Sequence, residues 1–390
     1  MITSITASTR EIDDPKIAVN EILTALNLEK LMKKNSLGII SCFSEFEETG
    51  VLKAICEALP FECIGSTTCL NGTGKEIDQI LFSIVVLTSD ECTFKTTMIE
   101  IDENYENNIN STIKKLYEEI AAKPTLFLSY FPLIHAIGGN VILSTLDEAS
   151  GNVPIFGTVV VDHTSDYSTS SAILNGSLYR NGLVLGAITG EIDMSFEIAS
   201  INEEKIRKQK AIITKSNGSI LMEINGKPAL EYLEEIGLTK EDLSIGLGVV
   251  PLVIDHKDGT KNVIRGVFAV TPEGYVVCGG SMPEGASIAI GGLDAHDVVT
   301  TTEEAIINIK KDSGVMLSYS CIARYLVTSP NVTIEAEKIK ELNEGTSNYL
   351  FTVSGGEICP LIDENGKLKN YFHNYTNVMC RIKETGCKKI

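Results

Sequence analysis

The sequence lacks any pair of cysteines in the C-x2-C spacing, although it has 10 cysteines among its 390 residues. Structural zinc knuckles and redox dithiols normally show such a pair, and disulfide scaffolds are short secreted chains, so none of these classes fits. We therefore expect reduced thiols. Because free cysteine is among the most buried residue types, most of them should lie in the core, as the apolar runs around Cys42 and Cys278 indicate.

Positive charge is also scarce, since 33 lysines and arginines stand against 52 acidic residues and give a net charge of −19. A negative field of this size repels nucleic-acid phosphates and anionic membrane surfaces, so we expect no nucleic-acid partner. The N-terminus has neither the basic and apolar segments of a secretion signal nor the arginines of a transit peptide. A cytoplasmic location is therefore expected.

Long uncharged runs are nearly absent, and the longest covers residues 126–143, a length that would permit a membrane span. Pro132, His135, Gly138, Gly139 and Asn140 divide this run into a short apolar strand, a turn and the start of a helix. The sequence therefore predicts a strand-to-helix unit here and no membrane insertion.

Helical and strand patterns alternate along the chain, which predicts a mixed α/β (α+β) fold. A charged segment at residues 202–210 marks a boundary between two modules, 1–201 and 202–390. Each module should contain layered sheets, largely antiparallel or mixed, flanked by helices. Helices are predicted at residues 15–34, 47–59, 104–123, 141–149, 229–236, 303–311 and 333–344.

Two motifs that suggest ligands have simpler explanations. Residues 71–76, NGTGKE, lack both the first glycine and the hydroxyl residue after lysine that a nucleotide-binding loop requires, so they predict a glycine turn between strands. Asp294, His296 and Asp297 include metal-ligating types, but no distant partner cluster follows. A solvated loop before a helix capped at residues 300–302 explains them equally well.

His163 and His256 are expected in exposed loops.

The last seventy residues carry the most informative groups. Cys321 ends a predicted strand and Arg324 follows one turn later, an arrangement that would lower the pKa of the thiol. The alternative is a core thiol, with Arg324 paired to a neighbouring carboxylate. Further along, two glycines stand directly before a glutamate, and glycine allows the backbone to approach a ligand closely. A second polar segment follows near the end of the chain. These groups are Gly355, Gly356, Glu357, His373, Asn374 and Thr376.

These motifs resemble the FIST family, the F-box and intracellular signal transduction domains. Residues 225–229, 320–324, 354–358 and 372–376 are similar to its C-terminal module, in the family's order. Residues 63–68 and 154–157 are similar to glycine motifs of its N-terminal module. The sequence departs from the family pattern at Ala323, where a glycine is expected, and at Tyr325-Leu326.

The resemblance implies a sensory module that binds small ligands such as amino acids, often joined to an output domain. Some relatives are linked to haem and nitric oxide, and others carry an F-box. Since two such modules occupy this chain, we expect the signal to pass to a separate partner protein.

The hypothesis that follows places a small-molecule site in the C-terminal module. Arg324 would bind an anionic group such as a carboxylate. Glu357 would pair with a cationic amino group or hold Arg324, and His373, Asn374 and Thr376 would complete the polar lining. Cys321 would add redox sensing.

Three other functions remain open at this point. The first is a haem-based gas sensor, which needs an axial ligand. The second is a cysteine-dependent enzyme with Cys321 as nucleophile and His373 as base. The third is an acidic protein-interaction scaffold without a ligand.

Overall fold

The computed structural model describes residues 2–120, 122–133, 137–164, 166–244, 250–309, 314–345 and 348–384. Within these ranges the strands form four sheets that are mixed or antiparallel, with helices packed on them. The predicted mixed α/β class is confirmed. No helix in the described part of the chain has the length and apolar character needed to cross a membrane.

The chain contains three repeats of one pattern: strand, helix, strand, helix, strand, hairpin, strand. The first repeat, residues 3–89, contains β1 (Thr3–Thr9), α1 (Pro15–Leu26), α2 (Leu28–Leu31), β2 (Asn35–Cys42), α3 (Glu45–Glu48), α4 (Val51–Ala58), β3 (Glu62–Thr67), β4 (Asn71–Thr73), β5 (Glu76–Asp78) and β6 (Phe82–Ser89). Asp14 starts α1 by accepting hydrogen bonds from the backbone of Lys16 and Ile17. Asn27, in a left-handed conformation, ends that helix, so the predicted helix 15–34 is divided in two.

The second repeat, residues 93–189, has the same order. It contains β7 (Thr93–Glu100), α5 (Tyr105–Glu119), β8 (Leu126–Pro132), α6 (Gly139–Ser150), β9 (Ile155–Val160), β10 (Ala172–Leu174), β11 (Ser177–Tyr179) and β12 (Gly182–Thr189).

The third repeat, residues 192–384, is interrupted after its first strand, β13 (Ile192–Ala199). The inserted segment, residues 203–290, begins with a short 3-10 helix (Glu203–Lys205). It continues with β14 (Ala211–Asn217), β15 (Ile220–Ile224), β16 (Lys227–Pro228), α7 (Ala229–Glu235), α8 (Lys240–Ser244), β17 (Leu252–Asp255), β18 (Val263–Arg265), β19 (Val267–Val270), β20 (Val276–Cys278) and β21 (Ser287–Ile290). Its strands form a sheet of their own.

The third repeat then resumes and is completed by α9 (Ala295–Asn308), β22 (Val315–Cys321), α10 (Ile322–Val327), α11 (Ile334–Asn343), β23 (Asn348–Ser354), β24 (Gly356–Ile362), β25 (Leu368–His373) and β26 (Asn377–Glu384).

Each repeat builds one sheet in the same strand order and gives its hairpin to another repeat. The sheets run β1-β6-β2-β3, β7-β12-β8-β9 and β13-β26-β22-β23 before the hairpin is added. The hairpin β10-β11 of the second repeat pairs with β3, and the hairpin β24-β25 of the third pairs with β9. The hairpin β4-β5 of the first repeat pairs with β23 and closes the cycle.

The middle strands of the three sheets supply one central core. Because side chains alternate along a strand, one face of each strand points to this core and the other to the helices of its own repeat. The hydroxyl groups of Tyr130 and Tyr319, at equivalent positions of β8 and β22, lie 2.6 Å apart in this core. The inward residues of β2, β8 and β22 are Leu37, Ile39, Leu126, Leu128, Tyr130, Val315, Leu317 and Tyr319.

The predicted modules 1–201 and 202–390 are not separate in strand pairing. β24 of the second half pairs with β9 of the first, and β13 pairs with β26. The charged segment 202–210 lies where the chain enters the inserted segment. The boundary between modules stays a prediction.

Several local predictions can be compared with the structure. Residues 71–76 form the tight hairpin β4-β5, as expected for a glycine turn. The predicted helix start near residue 303 is wrong, because Asp294 and Asp297 form a capping box and α9 begins at Ala295. His256 is half-buried rather than exposed, whereas His163 is exposed as predicted.

Two of the three parallel strand pairs, β2-β3 and β8-β9, have a close backbone contact at a glycine. A Cβ atom at Gly157 would lie 1.9 Å from the carbonyl oxygen of Ser129, and Gly65 has the same relation to Ile40 in the first repeat. We expect Gly157→Ala to lower the free energy of unfolding by about 2 kcal/mol or more, since the backbone must shift to admit the methyl group.

Denaturant unfolding would measure this loss. Gly292→Ala is the matched control, because its Cβ would meet nothing closer than 3.8 Å. Equal stability of the two variants would contradict the close packing described for β8 and β9.

Candidate functional site

The parallel strands of the three repeats direct their carboxyl ends toward two cavities. In open α/β sheets, ligands bind beyond the carboxyl ends of the strands. Leu133 follows β8 and Gly355 follows β23, and both line a cavity of about 550 Å³. Phe43 follows β2 and Ile322 follows β22, and both line a cavity of about 440 Å³.

The cavity of about 550 Å³ is called here the glycine-lined cavity. Its wall comes from the second repeat, the third repeat and the inserted segment, so three separate parts of the chain meet around it. Its volume lies within the range of about 300–1,000 Å³ typical of small-molecule sites. The described lining residues are Leu133, Ile137, Gly138, Gly139, Asn140, Val159, Asp166, Tyr167, Ser219, Phe268, Cys278, Gly279, Gly280, Gly355, Phe372 and Asn374.

Glycines keep this wall thin where side chains would collide. A Cβ atom at Gly279 would lie 2.5 Å from Asn374 Oδ1, and one at Gly355 would lie 2.7 Å from Val161 Cγ1. Neither glycine has a left-handed φ angle, so space rather than backbone conformation requires glycine here. Gly356, next in the chain, lies against the ring of Phe372, because a Cβ there would be 2.4 Å from the ring.

Two of the eight predicted residues, Gly355 and Asn374, therefore line the cavity. Asn374 Oδ1 accepts a hydrogen bond of 3.3 Å from the backbone of Gly266, and its Nδ2 donates to the carbonyl of His373 at 3.0 Å. Asn374 thus joins the third repeat to the inserted segment.

His373 is buried, and its ring is not placed to act as a general base. Its Nε2 lies 3.0 Å from the carbonyl oxygen of Cys359, which a neutral ring satisfies by donating. Burial lowers the pKa of His373 to about 3, so the ring stays neutral at physiological pH. A histidine held in this way is not poised to deprotonate Cys321, and the enzyme alternative gains no support from it.

Cys321, Glu357 and Thr376 come together in one buried cluster. Glu357 accepts hydrogen bonds from Ser354 Oγ at 2.5 Å and from Thr376 Oγ1 at 2.8 Å. Burial raises the pKa of Glu357 to about 8.

The predicted activation of Cys321 is wrong. Burial, and then the nearby Glu357 carboxylate, raise the pKa of the Cys321 thiol well above its usual range. The helix that begins after it, α10, is short, and the guanidinium of Arg324 is engaged elsewhere. Cys321 is a core thiol, as are the eight other cysteines in the described residues, all of them free and buried.

Arg324 belongs to a different buried network, whose carboxylate is Glu335. Arg324 Nη2 and Nε donate to Glu335 Oε1 at 2.8 and 3.0 Å, and Arg324 is fully buried. Burial raises the pKa of Glu335, but the Arg324 charge and the hydrogen bonds around it outweigh this and lower the pKa overall. The idea that Glu357 holds Arg324 is therefore wrong, and the alternative of a neighbouring carboxylate is confirmed. Further donors to Glu335 are Ser320, Thr302 and Asn377.

Sequence reasoning missed a second buried arginine, Arg265, at the end of β18. Its Nε donates to the carbonyl of Ser281 at 3.2 Å, and its Nη1 donates to the carbonyls of Ile264 at 3.0 Å and Phe372 at 2.8 Å. Burial lowers the pKa of Arg265 to about 10. The available signal was an arginine inside the apolar run 263–270.

His163 lines the smaller cavity, and its Nδ1 lies 3.1 Å from Ser44 Oγ, which is outside the lining. Nucleophilic sites of this kind normally have a third group that orients the histidine. Within the described residues, the other ring nitrogen of His163 has no hydrogen-bond partner, so the contact lacks that group. The described residues also contain no group of three histidine, cysteine, aspartate or glutamate side chains able to hold a metal ion.

Comparison with known proteins gives matches to two family models and a weak likeness to a solved structure. Residues 36–227 match the FIST N domain and residues 229–360 match the FIST C domain. No curated protein sequence matches the chain. A crystal structure of cyanuric acid hydrolase from A. caulinodans is similar with a TM-score of 0.38 at 8% identity, over 98% of this chain and 99% of that chain. A likeness at this level supports no argument about activity.

The buried ion pair yields a first prediction for this region. Removing one partner of a buried pair leaves an uncompensated charge, which costs roughly 3–5 kcal/mol. We therefore expect Arg324→Met to lower the free energy of unfolding by about that amount in chemical denaturation. Arg10→Met is the control, because Arg10 pairs with Glu76 and Asp78 at an exposed site and should lose less than about 1 kcal/mol. Similar losses in both variants would contradict the role given to Glu335.

Glu357 yields a prediction about pH. Its pKa is about 8 in the folded chain against an ordinary value of 4.5, so the unfolded chain releases this proton first as the pH rises. The stabilisation that comes from holding Glu357 protonated in the folded chain is therefore complete below pH 4.5. It is lost as the pH rises from 4.5 to about 8. Relative to the wild type, Glu357→Gln should therefore become more stable when the pH is raised from 5 to 8.

Thermal unfolding at several pH values would measure this difference. Glu57→Gln, at an exposed glutamate, is the control and should follow the wild type. A stability difference for Glu357→Gln that stays constant with pH would contradict the raised pKa.

Proposed function

Because this chain belongs to the FIST family, we propose that it is a sensory protein that binds a small molecule in the glycine-lined cavity and signals to a separate partner protein. FIST domains are associated with signal-transduction sensor proteins. Amino acids are the first ligand class to test, since the family resemblance implies them.

The position of the cavity is the observation that carries this proposal. It lies at the carboxyl ends of β8, β9 and β23, and the inserted segment forms its opposite wall. Binding sites in layered α/β proteins favour such positions and the boundaries between structural units. A ligand there would contact the second repeat, the third repeat and the inserted segment at once.

The lining suits a small organic molecule with an apolar body. Leu133, Ile137, Val159, Phe268 and Phe372 supply apolar surface. The wall adds a few polar groups, among them Ser219, Asn140 and Asn374. Apolar walls with a small number of placed polar groups are typical of specific ligand sites.

The same arrangement offers a way to pass on a signal. The inserted segment is tied to β25 by the hydrogen bond from Arg265 to the Phe372 carbonyl and by the ion pair of Lys369 with Asp258, 3.0 Å long. A ligand that binds better to one arrangement of these parts shifts the population toward it. The surface presented to a partner would then change with ligand concentration.

Haem does not fit the described wall of this cavity. Cys278 is the thiol on the wall, and its Sγ is directed to the carbonyl of Val276 in its own strand. Burial raises the pKa of that thiol to about 12. His373, behind the wall, already uses Nε2 on the carbonyl of Cys359. Neither residue presents a free axial ligand.

Filling the cavity tests the proposal directly. We expect at least one amino acid to raise the melting temperature of the wild type and to bind in calorimetry. Ser219→Tyr, which places a large ring in the cavity, should weaken this binding at least about tenfold by occupying the ligand's volume. Ser216→Tyr, in the same hairpin but outside the wall, should bind like the wild type.

The outcomes of this experiment are separable. Binding that survives Ser219→Tyr would place the ligand elsewhere in the chain. A panel of amino acids and other small organic molecules without any binding would contradict the proposed sensor function.

A further inference from the structure

We infer that the smaller cavity is a second binding site and that it takes a methylated ammonium group. This site is separate from the glycine-lined cavity and does not depend on the function proposed for it. All three repeats contribute to its wall, through Phe43, Asp162 and Ile322 among others. Its volume of about 440 Å³ lies within the range typical of small-molecule sites.

The first observation is a buried carboxylate without a cation. Asp162 belongs to the lining and is 1% exposed. It accepts hydrogen bonds from the backbone N–H of Thr164 at 2.6 Å, from Thr164 Oγ1 at 2.5 Å and from Thr169 Oγ1 at 2.7 Å. These donors are neutral, so they satisfy the oxygens without cancelling the charge. In the described part of the chain no lysine or arginine pairs with Asp162, and a buried charge is normally matched by an opposite one.

The second observation is the charge balance of the wall. No lysine or arginine stands among its described residues. Burial raises the pKa of Cys69 and of Tyr167 to about 12, so both groups are neutral at physiological pH. The Asp162 charge adds to both shifts, which indicates that its field reaches along the wall. His163 is exposed, so solvent screens its ring. The net charge of −19 also attracts cations to the chain.

The third observation is the aromatic and aliphatic surface of the cavity. Phe43, Tyr167 and Tyr325 place three aromatic side chains on the lining. Cations are attracted to the faces of aromatic rings, and quaternary ammonium groups are recognised in this way. Ile80 and Leu326 also line the cavity and are each 45% exposed, so they offer aliphatic surface to methyl groups.

The polar groups of the wall disfavour other kinds of cation. A metal ion needs several ligands, and the described residues contain no group of three acidic, histidine or cysteine side chains able to hold one. An unmethylated ammonium has three N–H donors that need acceptors. Asp162 already accepts three hydrogen bonds, and the Tyr325 hydroxyl accepts one from Gln79 at 2.8 Å. A methylated ammonium has fewer donors or none, so its chemistry differs from that of the amino acids considered for the glycine-lined cavity.

A neutral ligand of the same shape tests this assignment without any variant. We would titrate the wild type in a calorimeter with choline and with 3,3-dimethyl-1-butanol, in which carbon replaces the charged nitrogen. Choline should bind about tenfold or more tightly, because only the charged ligand is attracted by the Asp162 carboxylate and the aromatic rings. Equal binding of the two, or no binding of choline, would overturn this inference and leave the function proposed for the glycine-lined cavity standing.

Variants then locate the effect. Asp162→Asn should remove most of the preference for choline while the alcohol binds as before. Asp13→Asn is the matched control, because it removes the same charge at an exposed residue outside the lining. Tyr325→Leu should weaken choline binding about threefold or more, whereas Tyr325→Phe, which keeps the ring, should not. A preference for choline that persists in folded Asp162→Asn and Tyr325→Leu would overturn the assignment.

Two further measurements separate the cavities and the sources of the ligand. Ser219 lines the glycine-lined cavity alone, so Ser219→Tyr should bind choline like the wild type. Loss of choline binding in that variant would move choline to the other cavity and contradict the inference. Nα-acetyl-trimethyl-lysine amide, titrated beside choline, distinguishes the sources: tighter binding than choline assigns the ammonium group to a side chain of a partner protein, and weaker binding assigns it to a free small molecule.

Discussion

The structure depends on strand pairing between repeats. The third strand along each repeat lies at the end of that repeat's sheet. By itself it would be an open edge with unpaired backbone groups, which is unfavourable and prone to aggregation. The hairpin of another repeat covers that edge, at β3, β9 and β23 in turn. Because the exchange closes in a cycle, no repeat completes its own sheet, and the central core around Tyr130 and Tyr319 contains residues of all three.

This exchange also builds the candidate site. Pairing of β24 with β9 brings Gly355, Phe372 and Asn374 of the third repeat onto the second repeat, beside the start of α6. The inserted segment leaves the third repeat after β13 and returns before α9, and it covers the same region from the other side. Long-range pairing therefore assembles a wall that no single stretch of sequence contains.

Much of the local structure was predictable because short-range physics determines it. Helical periodicity identified α5, a glycine turn predicted β4-β5, and the burial tendency of free cysteine anticipated the core thiols. The sequence pattern misplaces the start of α9, because the polar residues Asp294 and Asp297 of its capping box are also typical of a loop.

The site residues were predictable as types but not as partners. Arg324 was recognised, yet its carboxylate is Glu335 on α11, and sequence spacing gives no sign of that contact. The position of Cys321 beside Arg324 in the sequence predicts an activated thiol, whereas burial, and then the neighbouring Glu357, raise its pKa. Sequence patterns do not single out Arg265, because its contacts are a glycine backbone and carbonyl groups from separate parts of the chain.

The cyclic exchange has a consequence for stoichiometry. Its connectivity is that of a domain-swapped trimer whose three subunits have been joined end to end, and a symmetric trimer would offer three identical junctions to a ligand. A single insertion makes those junctions different: its residues line the glycine-lined cavity, but none appears on the described wall of the smaller cavity. A ligand of the glycine-lined cavity would accordingly bind once per chain. It would bind at only one of the three junctions, although all three have the same strand order.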